Sequence, residues 1–502
     1  MYAAIASATL AGASGSHIMV EAHVGPGIPG FTVVGLPDEG CRESRDRVRA
    51  AMLSSGLEWP QRRITINVAG SGERRGGTGL DLAIAVGILV ATGIVTSESV
   101  QDIAFLAELG LDGSLRPTTG IAPLVASVEH LDVVVAEGSV HEASIAQPRS
   151  VRAVSTLAQL VDVLHGDASW TVMGDVPVAS ESCVDLPNMS DVRGQPMARL
   201  ALEVAAAGMH HMLMIGPPGA GKSMLARRLS GLLPRLSHDQ AFQVAMIRSA
   251  AGQSVDTRLT TIPPYRAPHH SISMMGMVGG GTSNVRPGEI SLASHGVLFL
   301  DEMGEFAPSV LDALRQPLEE RTVRISRAHA SVEMLADFLL VAATNPCPCG
   351  VAVRANCECS VVSRQRYLRR FSGPLLDRFD IRVHLARPST SELTGATRGE
   401  STEEISARVA YVHQRASERQ GCVNARITGD MLNEVAPLSE SALAVLRQKL
   451  DDGTLTGRGY HRVRRVARTL ADLNGEWGVI DEKWVQLALQ FRARLESGIV
   501  PR

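Results

Sequence analysis

Short apolar runs, bounded by glycine or polar residues, recur through the first three quarters of the chain and predict β-strands. The runs that matter for the argument lie at 32–35, 64–68, 133–135, 212–215, 294–302 and 339–345. Two stretches between them have helical spacing: Arg42–Ser55 is amphipathic, and Leu80–Thr92 is apolar on nearly every face. Strands that alternate with helices predict an α/β fold with a parallel sheet.

The pattern changes after residue 388, where apolar residues recur at helical spacing only. Four helices are predicted there, at Glu403–Arg419, Ser439–Lys449, Tyr460–Leu473 and Glu482–Leu495. A polar stretch without any period, from 166 to 190, predicts a linker. We therefore expect a first domain at 1–165, a linker at 166–190, a second domain at 191–388 and a helical domain at 389–502.

Composition narrows the choice of partners and compartment. The chain has 502 residues, 45% of them hydrophobic, and a net charge of −3, so any contact with DNA must come from local arginine clusters. The first twenty residues are mostly small and apolar and resemble a secretory signal. They carry no lysine or arginine ahead of the apolar stretch, which argues against that interpretation. The longest apolar run, Leu82–Val95, is shorter than the ~20 residues that a membrane span needs. We expect a cytoplasmic protein without membrane contact.

A phosphate-binding loop follows the apolar run 212–215 and precedes a helix predicted at 224–233. Glycines let backbone N–H groups close around phosphate oxygens, Lys222 reaches the β- and γ-phosphates, and Ser223 can ligate Mg²⁺. The chain has only three lysines, and one of them stands here. ATP and Mg²⁺ are therefore the predicted cofactors. The loop consists of Gly216, Pro217, Pro218, Gly219, Ala220, Gly221, Lys222 and Ser223.

Polar residues end the next two predicted strands. Asp301 and Glu302 follow one of them, and Asn345 follows the other. In a parallel sheet these ends lie beside the phosphate loop. Asp301 can hold Mg²⁺ through water, and Glu302 can polarise the attacking water. Asn345 is a candidate for positioning that water near the γ-phosphate, and an ordinary strand-end turn before Pro346 is the alternative.

Four of the seven cysteines are packed into thirteen residues as two C-x-C pairs. They are Cys347, Cys349, Cys357 and Cys359. Four thiolates at this spacing can close a tetrahedral Zn²⁺ site, although C-x-C is less usual than C-x₂-C and free buried thiols are the alternative.

Several longer segments resemble ComM-type, Mg-chelatase-like AAA+ ATPases. "VGLPDEGCRESRDRVRAAM", "RITINVAG" and "GSLRPTTGIAPLV" resemble their N-terminal domain, which shares the fold of the Lon protease catalytic domain. The resemblance implies a Lon-like α/β domain, an AAA+ P-loop core with a parallel sheet, and a C-terminal helical lid. A Lon-type peptidase needs a Ser/Lys pair. The matching stretch Gly76–Asp81 has no serine, and 110–130 has no lysine, so peptidase activity is not expected.

Two more motifs imply roles for arginines. "LLDRFD" resembles the segment that carries the arginine finger of Mg-chelatase motor subunits, which implies that Arg378 acts on the ATP of a neighbour in a ring. The alternative is a surface salt bridge with Asp377 or Asp380. "TGRGYHRVRRVARTLADL" resembles the sensor 2 helix, which implies that Arg458 reaches a γ-phosphate, and the same resemblance makes Asn345 the sensor 1 residue.

Candidate DNA contacts lie in two segments of the core. "YRAPHHSISMMGMVGGGTSNVRPGEISLA" resembles the family's insert toward the central pore, which makes Arg266, His269 and His270 DNA-facing or insert-shaping. Neighbours on a strand point apart, which argues against a metal site at the two histidines. The alternation at 321–332 predicts a hairpin with Arg327 and His329 near its tip; a solvated hairpin is the alternative.

The resemblance implies an ATP-hydrolysing homo-hexameric ring that acts on single-stranded or branched DNA. Branch migration in recombination, or DNA uptake in natural transformation, is the implied process. One alternative is a metal-chelatase-type motor that remodels a protein. Another is a Lon-like ATP-dependent protease, which the missing Ser/Lys pair opposes.

Overall fold

The structure is a computed structural model. It describes residues 1–35, 38–69, 79–170, 186–256, 258–281, 285–327, 330–350, 357, 359–394 and 399–493. Most of the predicted linker, and the predicted residue His329, lie outside these ranges.

The N-terminal part is built on a seven-stranded sheet with the order β3-β4-β2-β1-β5-β8-β9. Its first two strands form a long antiparallel hairpin in the segment whose small apolar residues resembled a signal sequence. The strands are β1 (Tyr2–Ala11), β2 (Ser14–Gly25), β3 (Gly30–Val34), β4 (Arg63–Ala69), β5 (Ile103–Leu106), β6 (Glu108–Leu109), β7 (Leu115–Arg116), β8 (Asp132–Ala136) and β9 (Ser150–Val154). The helices are α1 (Asp38–Ser54), α2 (Asp81–Thr92), α3 (Ile121–Ala126), α4 (Val140–Ser144) and α5 (Leu157–His165).

Helix α2 is the buried centre of this part, as its uniformly apolar sequence predicts. A Cβ at Gly87 would lie 3.1 Å from the Cβ of Ala22 on β2, so a glycine here lets the helix approach the sheet closely. Asp81 at its start is fully buried and accepts hydrogen bonds from Arg47 (2.6 Å) and Ser44 (2.8 Å). This carboxylate therefore ties α1 to α2 and has its hydrogen bonds satisfied within the fold.

The second part contains a five-stranded sheet with the order β11-β14-β17-β10-β18, and each pair is parallel. Its three central strands, β14, β17 and β10, are buried apolar runs, as parallel sheets covered on both faces require. The elements are α6 (Pro196–Gly208), β10 (Met212–Ile215), α7 (Lys222–Leu232), α8 (His238–Ala250), β11 (Tyr265–Arg266), α9 (Met274–Val278), β12 (Gly279–Gly280), β13 (Arg286–Pro287), α10 (Glu289–Leu292), β14 (Val297–Leu300), α11 (Pro308–Ala313), α12 (Arg315–Glu320), β15 (Thr322–Arg327), β16 (Ala330–Leu335), β17 (Leu339–Thr344), α13 (Val361–Leu368), α14 (Gly373–Leu376), β18 (Ile381–His384) and α15 (Thr390–Thr394).

The last part is helical, and its helices are α16 (Thr402–Gln420), α17 (Leu432–Val435), α18 (Glu440–Asp451), α19 (Gly457–Leu473) and α20 (Glu482–Gln490). The short helix α17 was not predicted, and two boundaries of the predicted helices differ by three residues or more. Helix α19 begins three residues earlier, because the Thr456 hydroxyl accepts the Gly459 N–H at 3.1 Å and caps it. Helix α20 ends at Gln490, where Phe491 is buried and turns the chain toward β18.

The N-terminal part packs directly on the second part. Ser249 of α8 accepts the backbone N–H of Ala122 at 3.3 Å, and Ile145 and Met246 pack beside this contact. The turn at Gly12 lies against Val332 of the hairpin β15–β16. Among the described residues, none of the helices combines the length and the apolarity that a membrane span requires. The α/β fold class predicted from the sequence, with its parallel sheet and helical C-terminal part, is confirmed.

Candidate active site

The phosphate loop connects β10 to α7 and needs glycine at several positions. Gly219 and Gly221 have φ of 77° and 86°, in the left-handed region that side chains with a Cβ avoid. A Cβ at Gly216 would lie 2.6 Å from the carbonyl oxygen of Leu385. The loop therefore wraps closely against the end of β18 and opens into the N-terminus of α7, where backbone N–H groups favour an anion.

Lys222 crosses the mouth of the loop. Its Nζ donates to the carbonyl of Gly216 (2.5 Å), the carbonyl of Pro217 (3.0 Å) and Oδ1 of Asn345 (3.1 Å). Burial lowers the pKa of Lys222, while the carboxylates of Asp301 and Glu302 oppose this shift. The ammonium is therefore held in a partly desolvated place, where its attraction to phosphate charge is strong.

Ser223 and Asp301 meet as the sequence predicts for a Mg²⁺ site. The Ser223 hydroxyl donates to Oδ2 of Asp301 at 2.6 Å, and Oδ1 of Asp301 accepts the N–H of Glu302 at 3.0 Å. A hydroxyl and a carboxylate in contact supply the hard oxygen ligands that Mg²⁺ prefers, so these residues fit that ion. Glu302 has φ of 49°, a strained conformation for a residue with a side chain, directly beside the phosphate loop.

Asn345 follows β17 and is held through its backbone as well as its side chain. Tyr367 of α13 donates to the carbonyl of Asn345 at 3.2 Å, and its hydroxyl lies 2.8 Å from that of Thr344. The amide of Asn345 is thus presented to Lys222 by a helix that begins sixteen residues further along the chain.

A cavity of about 310 Å³ opens beside these groups. The polar and aromatic residues that line it are Ser223, Arg227, Tyr265, His269, His270, Phe299, Asp301 and Glu302. Arg227 and Tyr265 were missed by the sequence analysis. Arg227 lies one helical turn after Ser223 and thus on the same face of α7, which is a signal that could have found it.

The structure corrects the prediction for the two histidines. They lie after β11 instead of on a strand, so their rings do not point apart but lie side by side, with centroids 4.0 Å apart and planes tilted by 35°. His270 lies 3.9 Å from the carboxylate of Glu302. Arg266 binds both oxygens of Glu289, at 2.6 and 2.7 Å, which shapes the insert. The histidines are therefore gathered at the ATP cavity, and a DNA contact for them or for Arg266 stays a prediction.

Arg387 is a second residue that the sequence analysis missed. It follows β18, and its Nε donates to the carbonyl of Pro218 at 3.1 Å. Its position after a parallel strand, at the same edge as Asp301 and Asn345, is the signal that could have found it.

Arg378 lies at the opposite edge of the sheet. The phosphate loop, Asp301 and Asn345 follow the carboxyl ends of their strands, whereas Arg378 precedes the amino end of β18. A strand of four residues separates these edges by about 13 Å. Arg378 is mostly buried and pairs with Glu319 of α12. It therefore faces away from the phosphate loop of its own chain.

The predicted alternative, a salt bridge of Arg378 with Asp377 or Asp380, is wrong. Asp377 lies 3.7 Å from Arg382, and buried Asp380 accepts from His210 (3.2 Å) and lies 3.6 Å from Arg462. These carboxylates are used by groups that the fold brings from β18, from the connection between α6 and β10, and from α19, so Arg378 takes its carboxylate from α12.

Arg458 lies in α19 one helical turn before Arg462, which is 3.6 Å from Asp380 at the edge that carries Arg378. Burial lowers the pKa of Arg462, and the charges of Arg378 and Arg458 lower it further, while Asp380 opposes them. A cavity of about 330 Å³ between core and lid opens at this edge. The arginines that line it are Arg321, Arg378, Arg426, Arg462 and Arg465.

The four cysteines predicted to bind zinc converge. The Sγ atoms all lie within 4.8 Å of one another; they belong to Cys347, Cys349, Cys357 and Cys359. Cys347 is buried, and the other three are partly or fully exposed.

The predicted hairpin is present as β15 and β16, longer on its second strand than predicted. Its inward side chains, including Val323 and Val332, are buried, and Arg324 pairs with Glu333 across it at 2.9 Å. The backbone of Arg327 ends β15, and His329 lies outside the described residues. Their contact with DNA stays a prediction.

Comparison with known proteins bears on the whole chain. Three family profiles match: "Magnesium chelatase, subunit ChlI" at residues 188–393, "Subunit ChlI of Mg-chelatase" at 20–138, and "Magnesium chelatase, subunit ChlI C-terminal" at 399–492. An uncharacterized protein of Mycobacterium tuberculosis is 42% identical over 97% of both chains. The competence protein ComM of Haemophilus influenzae is 38% identical over 95% of this chain and 94% of its own. YifB of Escherichia coli is 36% identical over 96% and 95%.

The chain belongs to the ComM/YifB-type, Mg-chelatase-like family. The Mg-chelatase-like family is of the AAA+ ATPase type, and it implies ATP and Mg²⁺ for the site between β10, β14 and β17. Sequence relationship extends over all three parts of the chain, so the N-terminal part and the lid belong to the family architecture as much as the ATPase core does.

Proposed function

We propose that the chain is an ATP-driven ring motor that acts on DNA, with branch migration in recombination or DNA uptake as its process. The ring is inferred from one observation. The phosphate loop with Lys222 lies at one edge of the core sheet, and Arg378, which we propose completes hydrolysis, lies at the opposite edge. An assembly in which subunits follow one another head to tail brings the second edge of one to the first edge of the next.

At the first edge the chain's own residues bind and activate. Lys222 and the glycine backbone hold phosphate oxygens, Ser223 and Asp301 hold Mg²⁺, and Mg²⁺ when bound neutralises charge on the β- and γ-phosphates. Glu302 accepts a proton from the attacking water, and Asn345 orients that water. Arg378 and Arg458 of the adjoining subunit add positive charge where charge develops on the transferred phosphoryl group.

Because Arg458 lies at the same edge as Arg378, we propose that both act on the adjoining nucleotide. Arg458 lies in the first turn of the long lid helix α19, so nucleotide in one subunit then biases the lid of the next. Motion is thus passed around the ring, which is what a translocating motor requires.

Two observations support DNA as the substrate: a local cluster of arginines, and the name of one related protein. With a net charge of −3, binding must use clusters, and α13 carries Arg364 and Arg366, with Arg369 and Arg370 directly after it. Arg327 and His329 remain the hairpin candidates. One relative is named a competence protein. Contacts of this kind are made to phosphates, so binding would be independent of sequence and weakened by salt.

The test is ATP hydrolysis by the assembled full chain with and without single-stranded DNA, and unwinding of three- and four-stranded junctions. We expect DNA to stimulate hydrolysis several-fold and junctions to be processed only with hydrolysable ATP. Absence of both effects in intact rings would contradict the proposal.

The family profiles favour one second candidate, a chelatase-type motor that remodels a protein. That reading predicts ATP hydrolysis that is indifferent to DNA and stimulated by a protein partner. A Lon-like protease is not favoured by any geometry of the described residues, and casein degradation tests it directly.

A further inference from the structure

The four-cysteine cluster has the dimensions of a metal centre. The Sγ of Cys347 lies 3.1 Å from that of Cys349 and 3.8 Å from that of Cys357, and the Sγ atoms of Cys349 and Cys357 are 3.6 Å apart. Four thiolates at 2.3 Å from a tetrahedral Zn²⁺ lie about 3.8 Å from one another. Since these cysteines come from two separate C-x-C pairs, their convergence is a property of the fold.

The first pair is directly joined to the hydrolysis site. Cys347 follows Asn345 with only Pro346 between them, and the Gly350 N–H donates to the Cys347 carbonyl at 2.9 Å. Gly350 has φ of 73°, and a Cβ there would lie 2.8 Å from the ring of Pro218 and 3.9 Å from the side chain of Asn345. The turn that carries the first pair is thus packed against both the phosphate loop and the Asn345 amide.

The second pair, Cys357 and Cys359, is linked to Asn345 through helix α13. Cys359 precedes Ser360, whose hydroxyl accepts the Ser363 N–H at 3.1 Å and caps α13. Helix α13 carries Tyr367, the donor to the Asn345 carbonyl. Gly304, four residues from the end of β14, lies so close to the Tyr367 ring that a Cβ would approach it to 2.6 Å.

We propose that the four cysteines hold a Zn²⁺ ion that fixes Asn345 in its hydrolytic position. The metal would join the turn that follows Asn345 to helix α13. Because Tyr367 of that helix donates to the Asn345 carbonyl, Asn345 would be held from both sides. The hydrogen bonds of Lys222 to the carbonyls of Gly216 and Pro217, and of Ser223 to Asp301, involve neither Asn345 nor the cysteines. Loss of the metal therefore impairs hydrolysis while leaving nucleotide binding by the phosphate loop in place. This inference rests on the ATP hydrolysis in the proposed function, but not on DNA.

The first measurement is metal content of the purified full chain, by elemental analysis and by release with a thiol-reactive reagent. We expect one zinc per chain in the wild type and in Cys422→Ser, the matched control, because Cys422 lies in the lid and outside the cluster. The double variant Cys357→Ser/Cys359→Ser should lose the ion. Replacement by Co²⁺ in the wild type should give the visible absorption of tetrahedral thiolate coordination. A wild-type chain without metal overturns the inference.

The second measurement separates binding from hydrolysis. In Cys357→Ser/Cys359→Ser we expect the Kd for a fluorescent ATP analogue to stay within about twofold and kcat to fall about 10- to 100-fold, the usual cost of losing a group that orients a catalytic residue. Asn345→Ala should show the same split. If both act through Asn345, combining them should lower kcat little beyond Asn345→Ala alone.

Each result has one meaning. A metal-free double variant with wild-type kcat overturns the clamp, and so does a kcat loss that multiplies fully with that of Asn345→Ala. A double variant that loses ATP binding in proportion overturns it too, because the phosphate loop itself is then disturbed. Failure of DNA to stimulate a zinc-loaded, hydrolysing wild type counts against the proposed function and leaves this inference standing.

Discussion

At the scale of single residues, His211 shows how the fold sets a protonation state. It precedes β10, its Nδ1 accepts the Leu340 N–H at 3.1 Å, and its carbonyl accepts the N–H groups of Asp380 and Ile381. Burial lowers its pKa to about 4, with Asp380 opposing the shift. A proton on Nδ1 would remove the bond to Leu340, so the neutral ring belongs to the native state.

This histidine makes stability fall in mild acid. Above pH 6.5, the pKa of the histidine in the unfolded chain, His211 is neutral in both states. Between about pH 6.5 and pH 4 the unfolded chain binds a proton at this histidine and the native chain does not. We expect the site to reduce the free energy of unfolding by about 1.4 kcal/mol per pH unit in this window. His211→Asn, whose carbonyl can still accept from Leu340, should flatten the profile in urea titrations from pH 7.5 to 5. The exposed His238→Asn should not, and parallel profiles for wild type and His211→Asn would contradict the assignment.

At the scale of elements, the alignment of β11 with β14 depends on a close backbone approach. The carbonyl of Pro264 accepts the Val297 N–H at 2.8 Å, and the carbonyl of Gly296 accepts the Leu339 N–H of β17 at 2.8 Å. A Cβ at Gly296 would fall 2.0 Å from the Pro264 oxygen. Because Asp301 directly follows β14, this contact sets where the acidic pair stands relative to the phosphate loop.

Gly296→Ala should therefore separate β11 from β14. We expect the free energy of unfolding to fall by about 2 kcal/mol, with a rise in KM for ATP. The control is Gly457→Ala at the start of α19, where a Cβ would meet nothing within 4 Å; it should raise stability by about 0.5 kcal/mol, since alanine restricts the unfolded chain. Chemical unfolding checks both, and equal effects of the two changes would refute the argument.

At the scale of the whole molecule, the proposed ring would divide the work between the two edges of the core sheet. In that ring Lys222, which bonds to Asn345, would serve the nucleotide of its own chain, and Arg378, paired with Glu319 at the other edge, would serve that of the next. Neither group can substitute for the other within one chain, because the sheet lies between them. A ring is therefore part of the proposed active site and not only a container for it.

Mixed rings test this division. Arg378→Ala should bind ATP normally and lower kcat at least about 1,000-fold, and Lys222→Ala should abolish nucleotide binding. Neither variant should hydrolyse ATP alone, but a co-assembled mixture should recover activity at interfaces that join an intact Lys222 to an intact Arg378. The exposed Arg415→Ala is the matched control and should behave as wild type. If mixtures with verified ring formation recover no ATP hydrolysis, the proposed shared active site is contradicted.

The sequence by itself determined the features that contiguous residues specify. The buried strands, the glycine loop with Lys222 and Ser223, and the acidic end of β14 each depend on local pattern, because strand burial, glycine φ and helix N-termini are set within a few residues. The motifs also carried the family and the α/β fold class with its helical lid. The first hairpin, β1–β2, escaped prediction since its small residues show little contrast between faces.

Only the tertiary structure decided which distant groups meet. It gave Arg378 the carboxylate of Glu319, brought His270 to Glu302, placed Arg387 on the phosphate loop, and joined the cysteines to Asn345. Such contacts depend on strand order and on the angles at which helices pack, and many arrangements satisfy the same local pattern. Proximity across a sheet edge is a property of the whole fold, and therefore no single segment of this chain specifies it.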